Sequence, residues 1–263
     1  MAVKTILITG GSRGIGKASA ELLKKEGYQV LAPSSKELDV GCNDSVKKYF
    51  TANFKADSKL YALVCNAGIF HSESLEKHSL DDWEEVLNVN LTGTFRACQA
   101  ALPYLRNNAM NLLENSSDAR LASSEQTELN DASMMAAEKE CNAAGEDLRV
   151  GSRIIMISSV SAEGEAFAPA YTASKAGVNG LCKALAYELG SDKINVNAIA
   201  PGWVKTDMAQ GILHTKELEA DNLGATLQNR WIEPSEVAGL IKYLLSPEAK
   251  AITGQILTID AGL

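Results

Sequence analysis

The stretch TILITGGSRGIGKASAELL, residues 5–23, decides the fold. TILIT is apolar on both sides, as a strand buried on both faces must be. Glycines follow at 10, 14 and 16 in the pattern G-x-x-x-G-x-G, and an amphipathic segment begins near residue 15. A helix that opens straight out of a glycine turn leaves its first-turn amides, around Ser12 and Ile15, without intrahelical partners. Gly10, Gly14 and Gly16 let the backbone turn sharply and approach a pyrophosphate, with the helix dipole behind the amides. In an open α/β sheet such a turn lies at the C-terminal strand ends, where dinucleotides bind.

Outward from this unit the same rhythm repeats. Apolar runs at 4–9, 28–32, 60–65, 153–158, 194–199 and 255–259 alternate with helical patterns near 15–26, 44–54, 81–106, 171–189 and 234–246. Strands alternating with helices predict an α/β fold: a doubly wound parallel sheet covered on both faces. The chain has 263 residues and reads as a single domain, 1–263.

Composition excludes several classes. Net charge is −8, so no general basic field exists to hold nucleic acid or an anionic membrane. No apolar run reaches the roughly 18 residues of a membrane span. The N-terminus lacks the charged start and long apolar stretch of a signal peptide. The five scattered Cys contain no C-x-x-C and read as reduced thiols, pointing to a cytoplasmic protein. The three His lack metal-ligand spacing, so no metal site is expected.

Residues 107–149 break the rhythm. They hold nine acidic residues against three basic ones, without Pro or an aromatic residue. This insertion reads either as a solvated acidic loop or as a helical excursion, with Asp131 capping a helix that stops at Gly145.

The end of the second strand reads APSSK, with Ser34 and Ser35 and no carboxylate before Glu37. A site for NAD(H) usually places an acid there to take the ribose hydroxyls. Two hydroxyls, Arg13 in the glycine turn and Lys36 suit a 2′-phosphate better. The reading favours NADP(H) over NAD(H), which stays possible.

TGGSRGIG (9–16), NAG (66–68), NVNLTGTF (88–95), ISSVS (157–161), YTASK (171–175), NAIAPGWVKTDM (197–208) and the ending ITGQILTIDAGL together resemble the short-chain dehydrogenase/reductase family. The overall look is similar to its 3-oxoacyl-carrier-protein reductase branch. The resemblance covers nearly the whole chain outside 107–149 and implies a Rossmann-type fold. It also implies hydride transfer between a nicotinamide and a carbonyl or secondary alcohol.

Tyr171 and Lys175, four apart on a predicted helix, share a face. A tyrosine pKa near 10 is too high for neutral-pH acid–base work. The Lys175 ammonium, with the positive charge of oxidised nicotinamide, is expected to lower it. Tyr171 then gives a proton to the carbonyl oxygen, and Ser159 hydrogen-bonds the same oxygen. The resemblance implies that Lys175 also holds the nicotinamide ribose, and that Asn90 positions a water relaying protons to Lys175. It places Asn66, Ala67 and Gly68 at the cofactor, Asn66 chiefly as a bracket between strands. Asp39 and Val40 match the pair beside the adenine. Pro201 and Gly202 shape the loop under the nicotinamide, Val204 offers backbone to the carboxamide, and Thr206 reaches a phosphate or the carboxamide.

Only about six residues separate the second strand from LDV (38–40), too few for a crossover helix. The family's usual helix between its second and third strands therefore reads as missing, leaving the adenine pocket more open. The insertion follows the helix that starts near Asp81 and is expected on the face away from the cofactor. Homodimers or homotetramers formed through that helix and the Tyr171 helix are the expected assembly. Glu163 to Ala170, the stretch 207–231 and Trp203 are expected to select the substrate. Phe167, Trp203, Met208 and Leu213 predict an apolar pocket for a medium-sized carbonyl compound. A second reading, from a different class, is a sensor or scaffold protein that binds NADP(H) and works through the acidic insertion.

Overall fold

The computed structural model describes residues 3–114, 151–213 and 215–263, with backbone alone for 110–114. Strands β1 (Thr5–Ile8), β2 (Gln29–Leu31), β3 (Ala62–Cys65), β4 (Ser152–Ile157), β5 (Ile194–Pro201) and β6 (Ile256–Ile259) form one sheet. Every neighbouring pair is parallel, in the order β2-β1-β3-β4-β5-β6. The eight α-helices of the described residues are α1 (Gly14–Lys25), α2 (Asn43–Asn53), α3 (Leu80–Leu87), α4 (Gly93–Glu114), α5 (Pro169–Leu189), α6 (Asp207–Ile212), α7 (Lys216–Gly224) and α8 (Pro234–Leu245).

Alternation along the strands explains the two-sided apolar runs. Leu7, Leu63, Ile154 and Met156 enter a core with Phe50 of α2, Leu105 of α4 and Val178 of α5. Ile6, Ile8, Val64 and Ile155 enter the opposite core with Leu23 of α1 and Ile241 of α8. Successive strand residues point to opposite faces, so a sheet covered on both sides needs an apolar residue at every position. Leu63 is fully buried in a central strand. Leu63→Ala is expected to destabilise the fold by about 3 kcal/mol, read from the midpoint of urea unfolding.

The chain crosses from β1 to β2 on one side, then returns through α2 to β3 on the other. This reversal opens a crevice at the C-terminal ends of β1 and β3. The expected absence of a helix between the second strand and LDV is met. Residues 32–42 carry no helix, but α2 lies just beyond LDV and completes the connection. Ala32 to Cys42 act only as an approach to it.

The single helix expected over 81–106 is in fact α3, a π-helical turn at Asn88–Thr92, and α4. Ser79 caps α3, its hydroxyl accepting from the Asp82 amide. Helix α4 continues through Glu114, so the first residues assigned to the acidic insertion belong to it. The rest of the insertion, including the proposed cap at Asp131, lies outside the described residues. Among the described residues, no helix is long and apolar enough to cross a membrane.

Candidate active site

A cleft of about 780 Å³ runs across the C-terminal ends of β1, β3, β4 and β5. It falls within the usual size of a small-molecule site. Gly10 turns the chain with φ +63°. Gly16, in the first turn of α1, lies so close to the preceding loop that an added Cβ would stand 2.5 Å from the Gly10 carbonyl oxygen. No side chain caps α1 and no acidic residue stands in its first turn. The turn therefore presents open amides and a positive dipole end to the cleft, which suits a pyrophosphate. Gly10, Ser12, Arg13, Gly14 and Ile15 line it, whereas Gly16 supports it from behind.

Asn66 brackets the floor. Its Nδ2 donates to the carbonyls of Thr9 (3.1 Å) and Gly10 (3.0 Å). The amides of Asn66 and Ala67 donate to the Thr9 hydroxyl at 3.0 and 3.1 Å. Thr9 is the other half of this bracket. Its place directly before the first glycine was the signal for it.

At the ribose end, Arg13 and Ser35 line the cleft, as do Asp39 and Val40. Ser34 does not. Its amide and hydroxyl both donate to Glu37 Oε2 at 2.8 Å. These two bonds hold the Glu37 carboxyl below its ordinary pKa. Asp39 accepts from the Gly41 amide at 2.9 Å and so shapes its own turn. Arg96, which no motif singled out, joins that turn to the π-helical turn, donating to Val40 O (3.2 Å) and Asn88 Oδ1 (2.8 Å).

The reacting end gathers residues from four segments. Tyr171 sits in the first turn of α5, which Pro169 opens, and Lys175 follows one turn on. Lys175 is 4 % exposed, and its ammonium donates to Ile157 O at 2.8 Å. The Nζ lies 5.4 Å from the centre of the Tyr171 ring. Phe70 packs edge-on against that ring at 4.9 Å. Ser159 caps the short turn Val160–Glu163 and also stands at the Tyr171 phenol, where its hydroxyl favours the phenolate.

The expected lowering rests on Lys175 together with the charge of oxidised nicotinamide; the protein groups by themselves raise the phenol. Tyr171 is raised to about 12: burial raises it most, the Ser159 hydroxyl offsets part of that, and Glu165 adds to it. Burial also brings Lys175 down to about 8. Removing both groups from water disfavours both charged forms.

Asn90 stands on the π-helical turn and is buried. Its side chain is consumed by the protein: Oδ1 accepts from the Ile69 amide (2.8 Å), and Nδ2 donates to Ile69 O (2.9 Å) and Ser174 Oγ (3.1 Å). Its backbone carbonyl accepts from Thr94 at 2.7 Å. The π-helical turn aims this side chain inward, a common use of such turns. Gly68 lies beside it, where an added Cβ would be 3.3 Å from Asn90 Oδ1 and 3.7 Å from Lys175 Nζ.

Pro201, Gly202, Val204 and Thr206 line the far wall. Val204 is held by a bridge to Ile232, and Thr206 caps α6. Phe167, Trp203, Met208 and Leu213 line the same cleft, joined by Phe70 and Leu218. Outside the cleft, His71 stands between Asp82 (Nδ1–Oδ1 3.1 Å) and Glu85 (Nε2–Oε2 3.4 Å). Sequence spacing did not reveal this cluster, because the loop alone brings His71 to α3.

A glycine cradle at the switch point of a parallel sheet, with a phenol and an ammonium lining the same cleft, defines a dinucleotide-binding α/β protein. A family model described as short chain dehydrogenase matches residues 33–148. A second, described as Enoyl-(Acyl carrier protein) reductase, matches residues 122–263. The 3-oxoacyl-[acyl-carrier-protein] reductase MabA of Mycobacterium tuberculosis H37Rv is 30% identical over 271 residues, covering 99% of this chain and 92% of the relative. The reductase FabG of Vibrio harveyi is 31% identical, covering 99% and 97%. The crystal structure of gox2181 shares the fold with a TM-score of 0.76 at 24% identity, covering 99% of this chain and 95% of that one. The chain belongs to the short-chain dehydrogenase/reductase family. It is an oxidoreductase of that family, and membership implies a nicotinamide cofactor.

Proposed function

We propose that the protein is an NADP(H)-dependent reductase of carbonyl compounds, with Ser159, Tyr171 and Lys175 at the reacting atoms and Asn90 holding them in place. The observation that carries this reading is the convergence of the glycine cradle and the Ser159–Tyr171–Lys175 group on one cleft. The residues present fit a dinucleotide: the cradle has no room for a side chain at Gly16 and no competing carboxylate at the head of α1.

When bound, the reduced nicotinamide supplies hydride to the carbonyl carbon, and the positive ring of its oxidised form favours the Tyr171 phenolate. Ser159 holds the carbonyl oxygen, and Tyr171 gives it a proton. Lys175, anchored on Ile157 O, faces the phenol ring and would hold the nicotinamide ribose. The apolar wall of Phe167, Trp203 and Met208 accepts the organic part of the substrate.

Arg13 and Ser35 at the ribose end support NADP(H), since Arg is the side chain best matched to a phosphate. Arg13→Ala is expected to weaken NADPH binding about tenfold, the worth of one charge-assisted contact, and NADH binding less than twofold. Titration of intrinsic fluorescence with each nucleotide reads this difference, and equal losses for both remove the NADP(H) assignment. A screen of neutral ketones follows, with a 3-oxoacyl thioester first because of the relatives named above and the apolar wall. Binding of either nucleotide without turnover of any carbonyl compound rejects the reductase reading.

A further inference from the structure

Among the described residues, the charged side chains that line the cleft are Arg13, Asp39, Glu165, Lys175 and Asp207. Arg13 and Asp39 stand at the ribose end, and Lys175 is buried with its ammonium on Ile157 O. The apolar wall of Phe167 and Met208 is accompanied by acidic groups alone. Glu165 lies two residues before Phe167, and Asp207 directly precedes Met208. A substrate bound along that wall therefore meets carboxylates and no exposed lysine or arginine of the cleft lining.

Glu165 is held at the mouth by its own turn. Gly164 takes φ +145° and Phe167 φ +59°, so the backbone bends tightly on both sides of it. The second value is left-handed backbone, which is rare for a bulky residue and clusters at functional sites. The Glu73 amide donates to Phe167 O at 2.8 Å and ties this turn to the loop after β3. The Ser161 hydroxyl donates to Glu165 Oε2 at 3.2 Å. Although Glu165 is exposed, its charge reaches the reacting group, since it is one of the groups that raise the Tyr171 phenol. Among the described residues no lysine or arginine forms an ion pair with it, so its charge is not cancelled locally.

We propose that Glu165 is a specificity residue that turns away carbonyl compounds bearing a carboxylate or phosphate near the reacting carbon, leaving the cleft to uncharged, apolar ones. This rests on the functional reading given above and narrows its substrate class. Two like charges brought together in a partly enclosed cleft repel, whereas a neutral substrate enters without that cost. The repulsion acts as the substrate is admitted, so it is expressed in KM more than in kcat.

The test uses wild type, Glu165→Gln and Glu165→Asp in the full chain with NADPH. The best ketone from the screen is made in two forms, one ending in a methyl ester and one in the free carboxylate, so that the pair differs by one charge. Each form is assayed as a substrate and as a competitive inhibitor of the parent ketone. Wild type should favour the ester at least about tenfold in kcat/KM or inhibition constant. Glu165→Gln, which still accepts from Ser161, should bring the two forms within about threefold, chiefly through KM. Glu165→Asp, which keeps the charge, should keep the preference. Any effect of Glu165 on Tyr171 is common to both forms and cancels in their ratio. Sodium chloride at about 1 M, where screening leaves interactions over only about 3 Å, should narrow the wild-type preference and leave Glu165→Gln unchanged. Wild type that takes the acid as readily as the ester overturns the proposal, as does a preference that Glu165→Gln leaves intact. If the wild type turns over no carbonyl compound at all, the functional reading fails instead, and the two failures are distinguishable.

Discussion

Tyr171→Phe is expected to lower turnover of a ketone by roughly 10²- to 10⁴-fold while leaving the NADPH dissociation constant within about twofold. The substitution removes one oxygen and keeps the ring that packs edge-on against Phe70. The cleft therefore keeps its shape, and the loss isolates proton donation. The phenol is well placed to dominate the chemistry. It lines the cleft, it adjoins Ser159, and its surroundings, burial foremost, raise its pKa to about 12. A group so reluctant to ionise is a poor acid in isolation. It becomes useful only where a developing alkoxide, more basic still, takes its proton. Turnover of Tyr171→Phe near the wild-type level, measured by loss of NADPH absorbance, would remove the assigned role.

Lys175→Met is expected to abolish measurable turnover and yet raise stability at pH 7 by about 1–2 kcal/mol. Burial brings the lysine from 10.5 down to about 8. Holding it protonated inside the fold at pH 7 therefore costs up to about 3 kcal/mol relative to the unfolded chain. Methionine has no charge to desolvate and fills a similar volume. Its gain is offset by about 1 kcal/mol for the Ile157 carbonyl left without its donor. Below about pH 8 both folded and unfolded wild-type chains are protonated and the penalty is complete. Between about 8 and 10.5 the unfolded chain holds a proton that the folded one has released, so wild-type stability rises with pH. The advantage of Lys175→Met should shrink across that window. Urea unfolding at pH 7 and pH 10 reads both values, and a variant less stable than wild type at pH 7 would contradict the argument. A functional residue kept against its own contribution to stability is a familiar trade.

How much of this was legible beforehand follows from where the controlling forces act. The parallel sheet was readable because each strand must be apolar at every position, and TILIT and RIIMIS state that locally. The glycine cradle was readable because only glycine tolerates the φ of +63° at residue 10 and the close approach at residue 16. The break at Asn88–Thr92 was not, because a π-helical turn adds a residue without changing the apolar pattern around it. The helix α2 was legible from its pattern near 44–54, whereas the path of residues 32–42 into it is set by bonds of Asp39, Ser45 and Arg96.

The amino-acid pattern alone determined the layered architecture, the anion-binding turn and the pairing of Tyr171 with Lys175, because each is a short-range matter of periodicity, backbone freedom or helical spacing. Tertiary structure decided which groups lie in low dielectric and which are already bonded. It set Tyr171 up and Lys175 down through burial, consumed the Asn90 side chain, turned Ser34 onto Glu37, and lined Ser159, Ser161 and Glu165 into one chain. Desolvation and hydrogen-bond partnership depend on segments distant in sequence, so they arise only when the four strand ends meet.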